Sequence, residues 1–164
     1  NAPIMAGNIA GRLGELAPEY AAEFQANLER FNERIEEKLH EWQAKLAPYQ
    51  GQRICVYHKS WPYFVTRFGL EVACELEPKP GIPPSPSHLR EVMDIIKSQH
   101  VRVILMEVFY NRKAADHVAA QTGIQVAVVP NSVGGTPQAK DYFSLIDQII
   151  DRLVEAFKKE NNNV

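Results

Sequence analysis

From Gln52 onward the chain alternates short, almost continuously apolar runs with stretches of helical period, and this alternation constrains the fold more than any other feature. The runs are 52–58 (QRICVYH), 70–76 (LEVACEL), 101–107 (VRVILME) and 125–130 (QVAVVP). Between them the spacing predicts a short helix over 61–68 that ends at Gly69. A second, capped by Ser85 and running through Ser98, turns Leu89, Val92, Met93 and Ile96 inward. A third covers about 111–122. A closing helix over about 139–158 buries Phe143, Ile146, Ile149, Ile150, Leu153, Val154 and Phe157. Strands apolar on both sides and joined by helices pair in parallel and are covered on both faces. The expected class is therefore α/β: a four-stranded parallel sheet flanked by helices, with a frayed tail at Asn161–Val164.

The first 49 residues have a different texture. Residues 1–16 read as a short amphipathic helix with Ile4, Ile9, Leu13 and Leu16 on one side. Gly7, Gly11 and Gly14 weaken it, each by about 1 kcal/mol against Ala, so it needs a packing partner, and the rest of the chain offers no obvious one. Pro18 suits the first position of a second helix, which Pro48 stops. Its stripe is Phe24, Leu28, Phe31, Ile35, Leu39, Trp42 and Leu46. Such a helix is ~45 Å long, more than a small domain is wide. It is either half of a coiled coil or a strut burying one narrow face along two lobes. Large aromatics in a seam of only about three heptads favour the strut.

Composition closes off several classes. A net charge of −2 supplies no basic field for nucleic acid. No apolar run approaches the ~20 residues that span a bilayer. The chain opens at Asn1 without a leader and is read as mature, processed or truncated. Cys55 and Cys74 make no framework; each is expected free, a small buried hydrophobe, because bridges between adjacent paired strands are usually strained.

Ligands of open parallel sheets bind outside the carboxyl ends of the strands. The sequence after the first strand, HKSWPYF, lacks the glycines that cradle phosphate, and no G-x-S-x-G elbow occurs. Cys55 lies mid-strand with nothing to make it a thiolate. No catalytic residue and no organic cofactor is expected. His58 ends the first strand, where an imidazole can face the crevice; on pattern alone such a residue is more often a structural hydrogen-bonder than a metal ligand. Glu107 ends the third strand as a ligand, a partner orienting His58, or a helix cap. His40, His88, His100 and His117 read as solvated surface residues.

The strings Val56-Tyr57-His58-Lys59-Ser60-Trp61-Pro62-Tyr63-Phe64 and Leu76-Glu77-Pro78-Lys79-Pro80-Gly81-Ile82-Pro83-Pro84-Ser85-Pro86 carry a resemblance. So do Asn1-Ala2-Pro3-Ile4-Met5-Ala6-Gly7-Asn8-Ile9-Ala10 and Met106-Glu107-Val108-Phe109-Tyr110-Asn111. Together they resemble the zinc/manganese-type periplasmic solute-binding proteins (cluster A-I) of ABC importers, over the second half of a family member.

The resemblance implies a two-lobed receptor with a metal in its cleft and a rigid helix between the lobes. Residues 1–16 would then belong to a missing N-terminal lobe, 17–49 to the connecting helix and 50–164 to the C-terminal α/β lobe. His58 matches a family metal-ligand position. Asn131, in Asn131-Ser132-Val133-Gly134, stands where the family usually carries Asp, and its neutral carbonyl is a weaker ligand than a carboxylate. The transported ion would be Zn or Mn, held weakly or not at all by this half alone. The implied partners are a membrane permease of an ABC importer and the N-terminal lobe, with artificial self-association of the exposed helix face as a side effect. The implied location is periplasmic or extracytoplasmic, free or lipid-anchored. Two other readings compete: an α/β enzyme fragment with an incomplete site, and a dimerisation module driven by the 18–47 helix.

Overall fold

In the structure, a computed structural model that describes residues 1–79 and 81–161, the chain divides into two compact units, Asn1–Gln43 and Ala44–Val164. The first contains helix α1 (Ala2–Leu16), which has no buried residue. Its Ile4, Met5, Ile9, Leu13 and Leu16 are all exposed. A 3-10 turn at Pro18–Tyr20 leads into helix α2 (Ala21–Leu46), and a second 3-10 turn at Ala47–Tyr49 follows it. The regular α-helix is thus about 39 Å long, somewhat shorter than expected, because the proline at each end tightens its turn. Along its stripe Phe24, Leu28, Phe31, Ile35 and Leu39 are half-buried, and Trp42 and Leu46 are buried. The division between the units falls inside this helix.

The second unit is the expected α/β fold. Strands β1 (Arg53–Val56), β2 (Glu71–Glu75), β3 (Val103–Glu107) and β4 (Gln125–Val129) form one sheet in the order β2-β1-β3-β4. All its pairings are parallel. The connections are helices α3 (Pro62–Phe68), α4 (Pro86–Ser98) and α5 (Lys113–Thr122), and α6 (Tyr142–Asn161) closes the chain. Ser85 caps α4 as expected, its hydroxyl accepting from the His88 N–H. Helices α3 and α5 stop at Gly69 and Gly123, both left-handed (φ 68° and 79°), a conformation that glycine adopts without a Cβ penalty. Helix α6 begins later than expected, at Tyr142, because Asp141 and Ser144 exchange hydrogen bonds as its cap. It runs through Asn161, so the first residue of the tail expected to fray is helical instead; the remainder of that tail, 162–164, lies outside the described residues.

The inner strands β1 and β3 bury both faces. Cys55, Cys74, Leu76, Ile104 and Met106 join Val92, Ile96, Ala115 and Val118 of α4 and α5 in one cluster. The alternate residues Ile54, Val56, Val103 and Leu105 turn to the other face, where α6 packs on β3 and β4 and α3 on β2. Tyr49 stacks on Phe157 there, with ring centroids 4.6 Å apart.

The pairing of β1 with β2 has one irregularity. Ile54 faces Val72, but Cys55 faces Cys74, so Ala73 is an extra residue in β2. The two cysteines are therefore opposite each other, with Cα atoms 4.7 Å apart, and joined as a disulfide. This corrects the expectation of free thiols: the separation is within the span a bridge allows.

Candidate functional site

The strand order places β1 beside β3, although the chain visits β2 between them. The order reverses at that point, which opens a crevice outside the carboxyl ends of β1 and β3. His58 lies two residues beyond the last residue of β1, Glu77 two beyond that of β2, and Glu107 ends β3. The two-residue strand period puts all three on one face, in line with 54 and 56, with 75, and with 103 and 105. The ladder continues past the strands, since Leu76 N–H donates to Val56 O (2.9 Å) and Glu77 N–H to Tyr57 O (2.8 Å). Backbone pairing thus carries Glu77 alongside His58.

His58 Nδ1 is 3.1 Å from Glu77 Oε2. The distance is that of a hydrogen bond, but the ring is off the angle of a formed one. The imidazole is 24% exposed, while the carboxylate is 7% exposed. Glu77 Oε1 is held separately by the Gly81 N–H at 2.8 Å. Gly81 has a φ of +75°, in a loop that the Ile82 N–H closes onto Lys79 O at 3.0 Å. Among the described residues nothing engages His58 Nε2.

Glu107 is fully buried, and neither of its oxygens meets a partner in formed hydrogen-bond geometry; nor does the Trp61 ring N–H. Burial pushes its carboxyl above the ordinary range; the Ser60 hydroxyl, its own backbone, the charge of His58 and the Trp61 N–H pull the other way. The Tyr57 hydroxyl is raised by burial and then by the charge of Glu77. Tyr110 is raised by burial, then by Glu107 and Glu77. Its ring stacks on Tyr57 at 4.4 Å and tilts against His58 at 6.3 Å. The crevice thus carries one imidazole, two buried acids and an aromatic wall.

Asn131 is exposed in the loop after β4, two strand positions from His58, a backbone spacing of roughly 10 Å. Among the described residues no set of three or more His, Cys, Asp or Glu side chains is gathered closely enough to enclose a metal ion. His40, His100 and His117 are exposed as expected. His88 is not: it is half-buried, with Nε2 3.0 Å from Glu75 O, because the first turn of α4 carries it onto the end of β2. Glu77 is the residue that sequence reasoning passed over. Its signal was its place two residues past a strand end, the same place His58 occupies. A surface depression lined by Gln52, His100, Arg102 and Ile124 lies at the opposite, amino ends of the strands, away from this chemistry.

The family model for ZnuA, the periplasmic component A of a zinc-uptake complex, matches residues 1–156. The high-affinity zinc uptake system protein ZnuA of Brucella abortus (strain 2308) is 28% identical over 158 residues, covering 96% of this chain and 46% of that protein. A crystal structure of ZnuA superposes with a TM-score of 0.76 at 26% identity, over 90% of this chain and 53% of its own. FpvC from Pseudomonas aeruginosa, in complex with Mn2+, superposes with a TM-score of 0.77 at 26% identity, over 93% of this chain and 58% of its own. The chain therefore spans about half the length of the relatives it matches.

Proposed function

Because this chain belongs to the ZnuA family of periplasmic zinc-uptake components, a family of metal-binding receptors and not of enzymes, we propose that it forms the C-terminal lobe and connecting helix of a receptor capturing Zn2+ or Mn2+ for an ABC importer. In this reading residues 50–164 are the lobe, 17–49 the connector, and 1–16 a helix of the other lobe. The receptor works outside the cytoplasm, free or tethered by lipid, and hands its ion to a membrane permease. The range of metals follows from the relatives: zinc for ZnuA and Mn2+ for FpvC.

One observation carries the proposal. His58 stands at the point where the strand order reverses, partly exposed, with one ring nitrogen beside a carboxylate and the other unengaged. A cation needs three or four donors. His58 supplies one from this half, Asn131 is the second candidate, and Glu107 is a reserve carboxylate beneath them. The remaining donors come from the other lobe, so the ion bridges the two and stabilises their closed arrangement.

Calorimetry tests this on the full-length receptor titrated with Zn2+ and Mn2+. His58→Ala is expected to weaken binding by more than about 100-fold, beyond the roughly 10- to 100-fold loss typical of an outer-shell change. The 164-residue chain alone is expected to bind Zn2+ weakly. Unchanged affinity in His58→Ala overturns the ligand assignment. Nanomolar binding by the isolated chain overturns the half-site.

A further inference from the structure

Resting on the reading of His58 as a metal ligand, we infer that Glu77 is its positioning residue, fixing which ring nitrogen His58 presents to the cation. The geometry is specific. A neutral imidazole carries its proton on one nitrogen and an acceptor lone pair on the other. With Oε2 3.1 Å from Nδ1, the carboxylate can only accept, so it draws the proton to Nδ1 and leaves the lone pair on Nε2. Nε2 is the nitrogen that nothing else in the described residues engages. A carboxylate behind the ring also makes Nε2 a better donor to a metal.

The placement of Glu77 is itself enforced. A carboxylate this buried is costly to leave unpaired. One oxygen is held by the Gly81 N–H, and that N–H is aimed by a left-handed residue in the proline-rich loop. A carboxylate serving only to close the loop would need Oε1 alone. The other oxygen is turned to His58, where the ring remains slightly out of line. A cation drawn to Nε2 would turn the ring into line with Oε2, so alignment and capture favour each other.

The test is nitrogen NMR of the His58 ring in the full-length receptor at pH 7.5, with and without Zn2+. The wild type is expected to carry its proton on Nδ1, and Zn2+ is expected to shift Nε2. Glu77→Gln is nearly isosteric. With its oxygen still on Gly81 it turns an NH2 group toward Nδ1, which must then accept. The proton moves to Nε2, and Zn2+ binding weakens by about 10- to 100-fold. Glu77→Asp keeps the charge and is expected to keep the wild-type tautomer, so the inference can still be read if Glu77→Gln does not fold. Two results would overturn it: Zn2+ arriving on Nδ1 with Glu77 as co-ligand, or unchanged tautomer and affinity in Glu77→Gln while Zn2+ still binds at Nε2. Zn2+ that perturbs neither nitrogen removes the ligand reading, and with it the inference, even if the tautomer is as expected.

Discussion

At the scale of single residues, the acid at the end of β3 is the one most at odds with its surroundings. Glu107 is fully buried, with no formed hydrogen bond at either oxygen, and burial outweighs the groups that favour its charge. Its carboxyl therefore titrates above the ordinary range in the folded chain and within it in the unfolded one. The native state holds the extra proton between those two values, so its contribution to stability is complete below the ordinary carboxylate range and is lost as pH rises through the raised value. Glu107→Gln should thus match the wild type near pH 4 and exceed it at pH 7.5, as read from urea midpoints. An equal difference at both pH values would count against a titrating origin. The sequence disclosed this residue as a strand-end acid. It could not disclose the burial, which depends on how Ser60 and Trp61 at the start of the first crossover fold over the strand.

At the scale of elements, the strands and helices were legible because each repeats a period across several residues. Leu89, Val92, Met93 and Ile96 define α4, and Ser85 and Gly69 act through local chemistry alone. Register was not legible. Aligned without interruption, Cys55 would face Ala73; the extra residue moves Cys74 opposite instead and carries Glu77 alongside His58. One irregularity thus accounts for two of the things the sequence reading missed, the bridge and the place of Glu77 beside His58. The bridge has a direct check. The chain denatured without reductant is expected to show no thiol reactive toward a thiol-titrating reagent, and two reactive thiols would refute it. Reduction should cost about 3 kcal/mol, the chain-entropy value for a loop set by its separation of 19 residues.

At the scale of the whole molecule, the two units differ in what holds them. Helix α1 has no buried residue, whereas every residue of β3 is buried. Amide exchange measured by mass spectrometry should therefore find α1 exchanging orders of magnitude faster than β3, since local opening costs least where fewest apolar groups are covered. Comparable protection in the two would mean that the first unit is stabilised by contacts not described above. The strand order has a further consequence, in time. First in the sheet by sequence, β1 becomes an inner strand, and Ile54 must find Val103 across the whole of two crossovers. Parallel pairing over such a span is slow, because the loop must be closed before any contact rewards it. The crevice between β1 and β3 can exist only after that step. His58 and Glu77 can meet as soon as the first crossover is complete, but the buried Glu107 arrives later, and the candidate site is among the last parts of this unit to form.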